Sequence, residues 1–517
     1  MNGAQSLVET LTHNDVNVCF ANPGTSEMHF VAALDTSDEM RCVLGLFEGV
    51  VTGAADGYGR MLDRPAATLL HLGPGLANGL SNLHNARRAQ SPVVNIIGDH
   101  ATYHRSHDAP LTSDIEGTAR PFSDWVRTSA DANAVSTDAV AAISASLSLP
   151  GQISSLILPA DAAWGKVDHT HAAISRARPT SPEPISAAKV TAAAKILRSC
   201  ERTAILLSSR ATREKELLIA GEIAAATGAK LVAPTQISRL ARGAGRVPVA
   251  RVPYGTDLGI NMLSQFENII LIGTKEPVAF FAYPDKPSEL LAAGTRVIEL
   301  ARPDQNVSEA LESLRSELGA ENTPVVVQPY SPAVIPDGNI TPEKIGEFLS
   351  ASLPENCVVV DESLTSGRTF LGATQASVPH EWLFTTGGSI GYALSNSIGV
   401  AMAVPDQKVI TLQADGSGLY MPQALWTQAR EGLDVVTLVF ANRKYQILRN
   451  EMSNVGAEFS GPKAEALMDI GNPDIDWTSL ARAFGVNGVR VETMDELRAA
   501  FARALSQSGP SLIEILL

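Results

Sequence analysis

One strand–helix–strand unit near the carboxyl terminus constrains this chain more than any other feature. Val409–Leu412 is an apolar, β-branched run that ends in the turn Gln413-Ala414-Asp415-Gly416-Ser417. Tyr420–Glu431 then reads as an amphipathic helix. Val435–Phe440 reads as a second buried strand, leading into Ala441-Asn442. With the two strands parallel, Asp415 and Asn442 stand side by side at the carboxyl edge of a sheet, where open α/β sheets bind ligands. Their separation is 442 − 415 = 27 residues. One carboxylate and one amide oxygen are hard ligands, suited to Mg²⁺ or Ca²⁺ that already carries a phosphate.

The rest of the chain repeats this alternation. Val16–Phe20, Ala67–His71, Val93–Gly98 and Ser155–Leu158 read as strands in a first block. Thr203–Leu207, Lys230–Ala233, Ile269–Gly273 and Val297–Leu300 follow in a second. Val358–Val360 and Ser511–Ile515 complete a third. Strands separated by helical stretches predict parallel sheets covered on both faces. Proline-rich segments at Arg176–Ile185 and Glu321–Pro342 read as stiff linkers. The expected fold is α/β, with three consecutive doubly wound parallel-sheet domains at residues 1–165, 186–322 and 340–517.

A second motif lies near the amino terminus, where Leu46-Phe47-Glu48-Gly49-Val50 precedes Ala54-Ala55-Asp56-Gly57-Tyr58-Gly59-Arg60. A carboxylate in so apolar a segment is costly without a partner. Glu48 reads either as a helix-start residue that satisfies backbone N–H groups or as a proton-sharing group whose pKa burial raises.

Together the two motifs resemble those of thiamine diphosphate-dependent enzymes. In that family a GDG turn is followed, one helix and one strand later, by NN, and a glutamate segment precedes ADGYAR. Ala414 replaces the first Gly and Ala441 the first Asn, while the ligand positions Asp415 and Asn442 remain. The resemblance spans the whole chain and implies a pyrimidine-binding domain, a central domain and a diphosphate-binding domain, in that order. It implies thiamine diphosphate as cofactor, with Mg²⁺ or Ca²⁺ held by Asp415, Asn442 and the Lys444 carbonyl. Gly416, Ser417 and Tyr445 would lie at the diphosphate, as would the hydroxyl-rich turn around Thr365, which otherwise reads as a plain helix cap. In Gly387-Gly388-Ser389-Ile390-Gly391, the Gly388 carbonyl would accept from the aminopyrimidine and Ile390 would wedge the cofactor into its bent shape. Taken alone, Ile390 reads as core. Glu48 would drive the aminopyrimidine to the tautomer that generates the ylid. The family also pairs the pyrimidine domain of one chain with the diphosphate domain of another, which implies a homodimer or a dimer of dimers.

The substrate is expected to be a small 2-oxo acid. Asn22-Pro23-Gly24-Thr25-Ser26-Glu27 resembles a turn of benzoylformate decarboxylase that faces the substrate carboxylate, and Thr25 keeps a hydroxyl there. His71 matches an active-site histidine of the same branch, and imidazole is the usual proton shuttle near neutral pH. His100 and His104 lie on the next strand-edge loop and could line the same cleft. Gly73-Pro74-Gly75 instead resembles acetolactate synthase. The expected reaction is decarboxylation through a carbanion–enamine, with an acetolactate synthase-like carboligase as the alternative. A catalytically silent, cofactor-binding regulatory subunit is a third reading, disfavoured by Glu48 and His71. No histidine lies between His171 and His380, so a second histidine from the central domain is missing, and Glu451 falls where an aromatic substrate contact is expected. Leu206-Leu207-Ser208-Ser209-Arg210 lacks a dinucleotide glycine turn and argues against FAD.

The net charge of −15 argues against nucleic acid or an anionic membrane as partner. Four scattered cysteines without CxxC spacing suit a reducing cytoplasm. No apolar run is long enough for a membrane span.

Overall fold

The structure is a computed structural model that describes residues 1–168, 174–457 and 461–517. Three sheets organise it. The first holds β1 (Val18–Ala21), β2 (Arg41–Leu44), β3 (Ala66–Leu70), β4 (Val93–Asp99), β5 (Trp125–Thr128) and β6 (Ile153–Pro159), all parallel, in the order β2-β1-β3-β4-β6-β5. Next along the chain come β7 (Thr203–Leu207), β8 (Lys230–Ala233), β9 (Arg239–Arg242), β10 (Ala250–Arg251), β11 (Asn268–Ile272) and β12 (Arg296–Ala301). All of these except β9 form a parallel sheet in the order β10-β8-β7-β11-β12. The third sheet contains β13 (Val358–Glu362), β14 (His380–Phe384), β15 (Val409–Ala414), β16 (Val435–Ala441), β17 (Asn487–Val491) and β18 (Ser511–Leu516), in the order β17-β18-β16-β15-β13-β14-β9. Strands β1, β3, β4, β6, β7, β11, β15 and β16 are buried along nearly their whole length, as continuous apolar runs in doubly covered sheets must be.

The expected parallel-sheet architecture is present, and β9 adds one antiparallel edge strand to it, leaving the middle segment to run along β14 from Leu383↔Arg239 to His380↔Arg242. Its sequence, Arg-Leu-Ala-Arg, is too short and too charged to read as a strand. It is held by neighbours such as Glu381, whose carboxylate accepts from Arg239 at 2.9 Å. The helix expected at Tyr420–Glu431 covers only Ala424–Arg430, after a short turn of helix at Asp415–Gly418. Pro422 disfavours helical backbone at Met421 and delays the start.

Helices Glu48–Leu62, Leu72–Ala89 and Ala393–Ala403 lie in the core shared by the first and third sheets. Small residues bring two of them close: a Cβ on Gly399 would sit 1.8 Å from the Ala54 carbonyl oxygen. The Asp56…Arg60 motif locks this junction. Arg60 is 1% exposed and pairs with Asp56 (Nη2–Oδ2 2.6 Å, Nε–Oδ1 2.8 Å). It also donates to the carbonyls of Phe384 and Ser238, to the Tyr392 hydroxyl and to Thr386 Oγ1.

Candidate active site

At the carboxyl edge of the third sheet, the β15–β16 register pairs Ala414 with Phe440 and so sets Asp415 beside Asn442. Asp415 is 4% exposed. Its Oδ2 accepts from Arg443 N at 2.6 Å and its Oδ1 from Gly416 N at 2.8 Å. Burial pushes its carboxyl up, and these backbone bonds counter the shift. Asn442 Oδ1 accepts from Lys444 N at 3.1 Å. The Tyr445 ring covers Gly416, where a Cβ would lie 2.5 Å from Cε1. Ser417 is turned inward: Gln413 Nε2 donates to its Oγ at 2.6 Å, and its hydroxyl donates to the Ala414 carbonyl. A buried carboxylate whose described donors are backbone N–H groups, next to an amide oxygen, is a donor set that fits a divalent cation.

Segment Thr385–Gly391 is held from the first domain. Asn85 Oδ1 accepts from the N–H groups of Gly387 and Ser389, both at 3.2 Å, and its Nδ2 donates to the Ser389 carbonyl at 2.8 Å. His84 Nε2 lies 3.1 Å from the Gly387 carbonyl. Gly388 has φ 74° and faces the Phe280 ring; Ile390 is half-buried. Beneath the segment, Glu362 is 1% exposed and accepts from Gly391 N (2.8 Å), Ala393 N (2.9 Å) and Gln413 Nε2 (3.1 Å). It thereby links the Gly391 segment to the Asp415 turn. Burial pushes its carboxyl up to about 7. Thr365, half-buried, lies in the turn after β13.

On the first sheet, Glu48 opens helix Glu48–Leu62 at 6% exposure, and its Oε2 accepts from Asn78 Nδ2 at 3.0 Å. His71 follows β3. Its Nδ1 lies 2.8 Å from Glu27 Oε2 and 3.2 Å from Ser26 Oγ. The Ser26 hydroxyl donates to Glu27 Oε1 at 2.5 Å, and Gly24 N to Glu27 Oε2 at 2.8 Å. Glu27 is buried against Gly98, where a Cβ would fall 1.8 Å from Oε1. A buried carboxylate only accepts, so the His71 proton sits on Nδ1 and Nε2 is left as the free acceptor. Leu72 is held at φ 46°, a strained conformation that fixes the turn carrying His71.

The hydroxyl beside His71 is therefore that of Ser26; Thr25 is exposed and makes no hydrogen bond to a described side chain. His100 and His104 are neighbours, with ring centroids 5.4 Å apart, and His107 continues the row. The His100 backbone N donates to Asp99 Oδ1, and Asp99 pairs with Arg105. From the middle segment, Phe280 lies tilted against Tyr254 and edge-on to Phe281, and the Tyr283 hydroxyl donates to Glu451 Oε2 at 2.8 Å. Glu451 is thus engaged by a tyrosine.

Sequence reasoning missed Glu27, Ser26, Asn78, Asn85, Glu362 and Gln413 as contributors. One signal was present: Asn78, Asn82 and Asn85 recur at helical spacing in a helix interior, where asparagine is unfavourable without a buried partner.

Residues 1–117 match the family "Thiamine pyrophosphate enzyme, N-terminal TPP binding domain", and residues 367–515 the corresponding C-terminal TPP binding domain. A protein of Mycobacterium tuberculosis named "Putative acetolactate synthase large subunit IlvX" is 47% identical over 100% of this chain and 99% of its own. The chain belongs to the thiamine pyrophosphate enzymes. Benzoylformate decarboxylase of Pseudomonas aeruginosa is 27% identical, covering 98% of this chain and 97% of its own. Among solved structures, the thiamine diphosphate-dependent 4-hydroxybenzoylformate decarboxylase of Rhodococcus jostii RHA1 shares the fold with a TM-score of 0.85 at 22% identity, over 99% of this chain and 98% of that one. Benzoylformate decarboxylase of Polynucleobacter necessarius gives 0.83 at 21%, over 100% and 99%. This chain is thus a thiamine diphosphate-dependent enzyme of α/β architecture. Among its described residues, no helix is long and apolar enough to cross a membrane.

Proposed function

We propose that this enzyme decarboxylates a 2-oxo acid with thiamine diphosphate and Mg²⁺ or Ca²⁺. The observation that carries the reading is the Glu27–His71–Ser26 cluster, an imidazole fixed in one tautomer by a buried carboxylate. Asp415, Asn442 and the Lys444 carbonyl would hold the cation, and Gly416 and Tyr445 would flank the diphosphate. Thr365 and the inward-turned Ser417 would shape that turn, while Gly388 and Ile390 would grip the aminopyrimidine. Bound thiamine diphosphate supplies the carbon nucleophile and the electron sink for loss of CO₂. Asn78 donates to Glu48 Oε2, and Glu48 Oε1 would be the oxygen that shares a proton with the aminopyrimidine. His71 Nε2 would move a proton at the reacting carbon or meet the substrate carboxylate. Thr25, His100 and His104 would stand further out on the same edge.

The active unit would be a homodimer or a dimer of dimers, with Glu48 and Asp415 of one site drawn from different chains. Carboligation is the second reading, favoured by the name of the relative at 47% identity. Supplying the holoenzyme with pyruvate and with an aryl 2-oxo acid tests the choice. Aldehyde and CO₂ are expected, acetolactate as dominant product would overturn the decarboxylase in favour of the carboligase, and turnover of neither leaves the substrate open. Co-refolded Glu48→Gln and Asp415→Ala chains should recover partial activity, and a complete lack of recovery would refute the shared site.

A further inference from the structure

Two guanidinium groups between the middle segment and the edge of the third sheet lack an acidic partner. Arg242, the last residue of β9, is 8% exposed. Its Nη1 donates to Thr374 Oγ1 at 2.8 Å and its Nη2 to the Leu371 carbonyl, and its guanidinium lies 5.3 Å from the Trp382 ring centroid. Arg251, in β10, donates from Nε to the Thr235 carbonyl at 2.7 Å and sits 4.5 Å over Phe384. Neither forms an ion pair with a described residue, whereas Arg239 and Arg246 on the same stretch both engage Glu381, at 2.9 and 3.5 Å.

Burial, and then the charge of Arg251, pull Arg242 down to about 9, and burial pulls Arg251 down to about 10, with the charge of Asp361 opposing both shifts. Buried cations are ordinarily paired, because an isolated charge in low dielectric is costly. Both arginines line a cavity of about 220 Å³ together with Leu240, Gly243, Gln328 and Gln375, and no carboxylate is among its described lining residues. The volume lies below the roughly 300 Å³ at which drug-sized sites begin, which selects a compact ligand.

We propose that this cavity is an anion site for a small phosphate- or carboxylate-bearing metabolite, whose anionic group is held by Arg242 and Arg251. Guanidinium groups match phosphate and carboxylate oxygens in pairs, and a bound anion would relieve the repulsion between the two cations. None of the cofactor residues named above is among the described residues that line the cavity.

The test uses holoenzyme saturated with thiamine diphosphate and Mg²⁺, so that its own diphosphate site is filled. Inorganic phosphate, succinate and adenosine monophosphate are titrated at constant ionic strength, balanced with chloride, and thermal unfolding is followed. At least one of the three should raise Tm along a saturating curve. Arg242→Met and Arg251→Met should each weaken that response by at least about tenfold, as loss of one charge-assisted pair requires. Phosphate acting alone would identify a free oxyanion, adenosine monophosphate acting more tightly a nucleotide, and succinate a carboxylate. Absence of a saturating response to all three overturns the proposal, as does a response in both variants as tight as that of the unaltered holoenzyme. Because methionine keeps contact with the aromatic rings, both variants should fold. If one does not, the other alone decides.

Discussion

Arg60→Met probes the joint between the first and third domains. The substitution removes two bonds to Asp56 and four to Ser238, Phe384, Tyr392 and Thr386, all at buried positions. Among the described residues, Asp56 would keep only the Ser91 hydroxyl and Asn396 Nδ2 as side-chain donors, leaving its charge uncompensated. Breaking a buried pair by removing one partner costs about 3–5 kcal/mol, more than the pair's net worth relative to apolar residues. With a urea m-value of about 2–3 kcal/mol per M, the first unfolding midpoint should fall by about 1–2.5 M. Tryptophan fluorescence reports it, since Trp382 and Trp477 are both buried. Asp56→Asn alone should also destabilise. The double variant should lose less than the sum, because the second change removes the charge that the first left unpaired. A midpoint shift equivalent to less than about 1 kcal/mol for Arg60→Met, or strict additivity, would refute the reasoning.

Three further outcomes follow from the site. Glu27→Gln should lower kcat by about 10- to 150-fold, the equivalent of one charge-assisted hydrogen bond of about 1.5–3 kcal/mol, with cofactor affinity unchanged in calorimetry; an equal loss of cofactor affinity would mean that Glu27 only supports the fold. Glu48→Gln should bind cofactor nearly as well while C2–H exchange with deuterium slows by orders of magnitude, and unchanged exchange would reduce Glu48 to a helix-start residue. Glu362 has a folded pKa of about 7, above its ordinary 4.5. Its proton-linked stability is therefore full below pH 4.5 and is lost as pH rises through 7. In Glu362→Gln the decline in Tm across that window should flatten, and an unchanged Tm–pH curve would contradict the assignment.

Much of the Asp415–Asn442 edge of the third sheet was legible because it depends on local chain geometry. A strand, a helical crossover and a parallel strand set Asp415 next to Asn442 wherever the unit folds, and only the helix start shifted, at Pro422. Most of the apolar strands that read as doubly covered are likewise buried, while Val297–Glu299 in the edge strand β12 are only half-buried. Glu48 stood out as a carboxylate in an apolar run, although sequence left its partner open and the fold supplied Asn78.

What tertiary structure alone decided are contacts between residues far apart in the chain. Glu27 meets His71 across 44 positions, and Arg60 meets the Phe384 carbonyl across 324. Neither separation corresponds to a helical or strand period, so no pattern in the sequence marks the pair. The same holds for β9, whose Arg-Leu-Ala-Arg has little strand propensity and becomes a strand only because the open edge of β14 offers it hydrogen bonds. Residue type told which groups could do chemistry; which hydroxyl faces His71, Ser26 rather than its neighbour Thr25, was set by the turn into which β1 delivers them.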